Sequence, residues 1–163
     1  MNSKTFFFAL LFVSFQVLSA QERAQSQIEI VLNDWHKAAG EANFDGYFRL
    51  MTPDAIFIGT DATEYWEGES FKAFAKPYFD RGKAWNFTPL ERHIYVNENM
   101  AWFDELLETQ MGICRGSGVL KLENYTWKIV HYVLSIAVPN DHVTELTALK
   151  KEFDSKLINK LKN

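Results

Sequence analysis

Residues 125–135 read YTWKIVHYVLS, and this stretch decides the fold. It has strand composition, rich in β-branched and aromatic residues, and no proline or glycine interrupts it. Side chains alternate across a strand. Val130, Tyr132 and Leu134 are therefore expected on one face, and Trp127, Ile129, His131 and Val133 on the other. Neither set suits water, so both faces of this strand need a cover. One cover can come from the chain's own helices, the other only from a second apolar surface.

Moving outward, three alternating segments precede it, roughly Pro89–Asn97, Met100–Thr109 and Gly112–Leu122. They are joined by the short links Asn97-Glu98-Asn99 and Glu123-Asn124, which fit an antiparallel meander. Earlier still the period is helical. Ile28, Val31, Leu32, Trp35, Ala38 and Ala39 form one stripe, and Gly40 stops it. Asn43 can cap a short helix bearing Phe44, Tyr47, Phe48 and Met51. A strand AIFIGT (55–60), a short strand around EYWEG (64–68) and a helix from Glu69 to Lys83 follow, the last expected to kink or break at Pro77. After Pro139-Asn140-Asp141, the residues Val143, Leu146, Leu149, Phe153, Leu157 and Leu161 recur at steps of three and four, a C-terminal amphipathic helix with lysines toward its end. Helices first and strands afterwards mean an α+β domain, with N-terminal helices packed on a curved antiparallel sheet.

The first twenty residues, MNSKTFFFALLFVSFQVLSA, have the form of a secretory signal peptide: Lys4, an apolar run from Phe6 to Phe15, and the small pair Ser19-Ala20. The run is too short for a stable membrane anchor. The expected organisation is thus a leader at 1–20, a domain at 21–141 and a C-terminal helix at 142–163, with the product secreted or periplasmic. Cleavage takes 20 of the 163 residues and leaves 143, enough for one domain with a real core. Loss of Lys4 moves the formal charge from −4 to −5. Such a chain has no basic stripe, which argues against a nucleic-acid partner. The sole cysteine, Cys114, cannot form an intramolecular disulfide and reads as a small buried residue. His36, His93, His131 and His142 show no ligand spacing. Neither a metal nor another cofactor is expected.

The order of elements, with TPDAIFIGTD (52–61), Trp66-Glu67-Gly68, AWFDE (101–105), RGSGVL (115–120) and WKIVHYVLS (127–135), resembles the SnoaL-like branch of the nuclear transport factor 2 superfamily. The last strand is also similar to that of the association domain of calcium/calmodulin-dependent kinase. The resemblance runs from about Ile28 to Asp141. It implies a conical pocket between the concave sheet face and the helices, and often a dimer through the sheets. It does not imply one reaction, because the superfamily hosts enzymes, binding proteins and oligomerisation modules on the same cone.

Register arguments nominate the polar residues of the cone. With Asn97-Glu98-Asn99 as the loop, Arg92 faces Asp104; with a two-residue loop, Arg92 faces Glu105 and His93 faces Asp104. A Glu123-Asn124 turn sets Arg115 opposite Tyr132, which places both on the pocket side and leaves Gly116 and His131 on the smoother outer face. The resulting candidate site has Asp104 as general base and Tyr132 as oxyanion donor, with Arg92 and Arg115 as binding residues and Trp66, Trp102 and Tyr47 closing it. The alternative is an Arg92–Asp104 ion pair that only satisfies buried charge. Asp61 reads as a turn residue bonding its own backbone, and His131 as a core or dimer-contact residue. Two functions follow: an exported protein binding a small, partly apolar molecule in the cone, enzyme or binder, or a non-catalytic dimerisation module; with either, a homodimer is expected through the sheet face bearing Ile129, His131 and Val133.

Overall fold

The computed structural model describes the backbone of residues 3–163 and the side chains from residue 20 onward. The expected leader, apart from Ala20, lies outside the residues whose side chains are described. Helix α1 (Ser3–Gly40) is followed by α2 (Phe44–Phe48), β1 (Met51–Ile58), β2 (Tyr65–Glu67), α3 (Gly68–Asp80), β3 (Phe87–Asn97), β4 (Met100–Thr109), β5 (Gly112–Glu123), β6 (Thr126–Ile136) and α4 (Val143–Lys162). The sheet order is β2-β1-β6-β5-β4-β3. It is antiparallel except where β1 runs parallel to β6, so the sheet is mixed at that one junction.

The expected caps form. Asn43 Oδ1 accepts the Gly46 N–H at 2.9 Å and starts α2. Pro77 does not break α3, which continues past it to Asp80. The stripe of α1 buries Ile28, Leu32, Trp35 and Ala39 against the concave sheet face. Trp35 stacks on Tyr47 (4.9 Å between centroids) and meets Tyr132 edge-on (4.8 Å). Each such ring, fully buried, contributes about 1.5–3 kcal/mol from area alone. Cys114 is likewise fully buried.

Strand β6 carries a bulge against β5. Val119 pairs with His131 and Leu120 with Ile129, which leaves Val130 unpaired. The extra residue inverts the alternation. Trp127 and Ile129 therefore share the inner face with Tyr132 and Leu134, and all four are buried. This corrects the expected outer placement of Trp127 and Ile129; His131 and Val133 do face outward, half-buried.

The β5–β6 turn differs as well. Glu123 pairs with Thr126, and Asn124 and Tyr125 form a two-residue loop with φ of 48° and 63°. Beyond the bulge Gly116 pairs with Leu134 and Gly118 with Tyr132, so both glycines lie on the inner face, where their missing side chains make room for rings. A Cβ at Gly116 would come within 2.2 Å of the Tyr132 hydroxyl, and one at Gly118 within 2.8 Å of the Phe103 ring.

Helix α4 is amphipathic as expected, but it buries no residue. Leu149 is 83% exposed and Phe153 45%. Among the described residues no helix is long and apolar enough to cross a membrane.

Candidate functional site

Strand β4 shows how the acid enters the cone. Ala101, Phe103, Glu105 and Leu107 alternate inward and are buried, whereas Trp102 and Asp104 point outward. The two-residue β3–β4 turn pairs Arg92 with Glu105 and His93 with Asp104. Glu105 is thus the buried carboxylate, and Asp104 is not. Asp104 sits half-exposed on the outer face with its Oδ1 3.2 Å from His93 Nδ1.

Glu105 is bonded on all sides. Its Oε1 lies 2.8 Å from His36 Nε2 and accepts the Tyr132 hydroxyl at 3.0 Å. Its Oε2 accepts Arg92 Nε at 2.8 Å and lies 2.7 Å from the guanidinium NH2. Arg92 continues to α1, donating from NH1 to Glu29 (2.7 Å) and Asn33 (2.8 Å). Burial alone would push the Glu105 carboxyl up, but the His36 hydrogen bond and the charges of His36 and Arg92 outweigh it and hold the carboxyl below its ordinary value. The Tyr132 hydroxyl is driven well above its ordinary value, first by burial and then by Glu105. A carboxylate bonded by three neighbouring side chains and with a lowered proton affinity is a poor general base.

The open space lies elsewhere. A cavity of about 280 Å³ opens between β1, β2, α3 and the β4–β5 turn. Seven rings line it: Phe57, Trp66, Phe71, Phe74, Tyr78, Trp85 and Phe87, joined by Leu134 and Met111. Thr60, Glu64 and Gln110 supply the polar groups. Phe87 lies edge-on to His36 (5.8 Å) and Phe57 tilts against Tyr132 (5.5 Å), so rings stand between the cavity and the buried network.

Of the residues nominated from sequence, Trp66 lines the cavity, and Arg92 and Tyr132 meet the buried carboxylate. Tyr47 is a fully buried core ring, its hydroxyl pushed well up by burial. Asp104, Arg115 and Trp102 are outside the cone. Arg115 pairs with Ser135 and is exposed, because the bulge at Val130 shifts the β5–β6 pairing by one residue and sets it on the face opposite to Tyr132. Trp102 is 49% exposed and stacks on Tyr95 at 5.7 Å across the outer face. Asp61 is the expected turn residue: its Oδ1 accepts the Thr63 N–H at 2.8 Å and the Thr63 hydroxyl at 2.6 Å, which hold its carboxyl below the ordinary value. The two-residue-loop register sets Arg92 against Glu105, as the structure does, but Glu105 was not nominated for the site, and His36, Glu64 and Trp85 were missed. The signal for Glu105 was present in the alternation Ala101-x-Phe103-x-Glu105-x-Leu107, and His36 lies within the apolar stripe of α1.

Residues 28–139 match the SnoaL-like domain family, and the chain belongs to that family. No curated protein matches it. Among solved structures it is similar to an NTF2-like protein of unknown function from Pseudomonas putida KT2440, at 12% identity over 74% of this chain and 91% of that one, with a TM-score of 0.64. An NTF2-like protein from Cytophaga hutchinsonii is 18% identical over 69% and 98%, with a TM-score of 0.60. The association domain of the C. elegans kinase CaMKII is 20% identical over 72% and 98%, also with a TM-score of 0.60. Identities this low speak to the fold alone.

Proposed function

We propose that this chain is an exported, non-catalytic binding protein that takes a small, largely apolar molecule into the aromatic cavity at the mouth of its cone. One observation carries the reading: the cavity is walled by rings, and the buried acid that could have served as a base is fully bonded behind them. Pockets of this kind gain affinity from apolar burial, with few polar groups to orient the ligand. Export follows from the leader, with removal after Ala20. The test is native mass spectrometry with small aromatic fragments against the mature protein and Leu134→Phe, which adds volume to the cavity wall. One-to-one complexes lost in the variant support the reading; complexes equally populated in both, or none in either, contradict it.

Self-association is a second reading with its own support. The outer sheet face exposes the Tyr95–Trp102 stack together with Ile113 (52%). An exposed aromatic patch of this kind is a common mark of a protein interface. We place a homodimer across this face, with His131 and Val133 near its centre and Ile129 excluded from it.

A further inference from the structure

Glu64 gives the cavity a sign. Among the described residues it is the sole charged one in the lining, and no lysine, arginine or histidine joins it. Its carboxylate is folded against the backbone: a Cβ at Gly59 would lie 2.1 Å from Oε2, so a side chain there would push the carboxylate aside. The same Oε2 accepts the Asp61 N–H at 3.1 Å, which fixes the group in place beside the rings.

The rings add to that sign, because an aromatic face carries negative charge density. Trp66 stacks on Phe74 at 4.0 Å, and Trp85 lies 6.4 Å from Phe57 and 6.5 Å from Tyr78. The guanidinium of Arg81 already sits 4.8 Å over the Tyr78 ring, a cation drawn to the edge of this assembly. Aromatic walls with one carboxylate are the chemistry that holds alkylated ammonium groups.

Resting on the cavity being the binding site, we propose that it selects small organic cations, of the quaternary or tertiary alkylammonium class, over neutral or anionic molecules of the same shape. The size of the cavity limits the ligand to a small one.

The experiment uses an isosteric set: choline, its neutral carbon analogue 3,3-dimethylbutan-1-ol, and the anion 3,3-dimethylbutanoate. Binding is followed through the indole resonances of Trp66 and Trp85 in the mature protein and in Glu64→Gln. Glutamine keeps an acceptor for the Asp61 N–H, and an unchanged melting temperature verifies that the fold is intact. Choline is expected to bind at least about fivefold more tightly than the alcohol, with the anion weakest. In Glu64→Gln the choline advantage shrinks to about twofold, the remainder being due to the rings. The alcohol binding as tightly as choline, or neutral fragments shifting Trp66 and Trp85 while choline does not, overturns the cation proposal and leaves the binding site standing. If no ligand of any charge moves these two resonances, the site itself is refuted.

Discussion

Arg92 and Glu105 face each other across β3 and β4, with Nε donating to Oε2 over 2.8 Å. Both side chains are almost wholly removed from water. Burying such charges is tolerable only while each has its partner. Arg92→Met is therefore expected to cost about 3–5 kcal/mol, and Glu105→Gln about 3, since Glu29 still faces the arginine. The double variant should recover much of the loss. Urea denaturation of the four proteins gives the coupling energy, and additive losses would refute the pairing.

Asp104→Asn provides the contrast. Its contact with His93 is half-exposed, and such surface pairs contribute about 0–1 kcal/mol. The same denaturation assay should place this variant within that range of wild type.

The shifts in the network set the pH limits of stability. Glu105 has its folded value below 4.5, so its contribution is complete above about that pH and is lost as pH falls through the folded value. Tyr132 has its folded value above 10.0, so its contribution is complete below about that pH and is lost as pH rises. Glu105→Gln should flatten the acid limb of a stability–pH curve. Tyr132→Phe should remove part of the alkaline limb, and Tyr47 carries more of it. Limbs identical to wild type would contradict both assignments.

Much of this fold could be read directly from the chain. The meander, the helical stripes, the Asn43 cap and the Asp61 turn follow from period and turn chemistry, which are local. The candidate site was less legible because side-chain direction depends on register, and one residue of slip moves every side chain to the other face. The unpaired Val130 inverted the inner and outer halves of β6, and the same bulge put Arg115 on the face opposite to Tyr132. The cavity is assembled from β1, α3 and the β4–β5 turn, and nothing in the sequence spacing reports their approach.

Ile129 and Trp102 exchange roles as a result. Ile129→Lys places a charge among fully buried core residues and should leave little folded protein. Trp102→Lys alters an exposed ring, so the fold should melt as wild type while sedimentation shows dissociation of the proposed dimer. A Trp102→Lys protein that stays dimeric would move the interface off this face.

Processing is checked by the intact mass of exported protein, which should correspond to a chain beginning at Gln21. A mature form retaining Phe6–Phe15 would refute export.

The most direct test of the binding site uses the five tryptophans as internal reporters. Trp66 and Trp85 line the cavity, Trp35 and Trp127 are core, and Trp102 lies on the outer face. Indole N–H resonances of the labelled protein are recorded while small aromatic fragments are titrated in. Saturable shifts at Trp66 and Trp85, with the other three unmoved, are the predicted result. Shifts confined to Trp102, or none at Trp66 and Trp85 with any fragment, would contradict a ligand site in the cone.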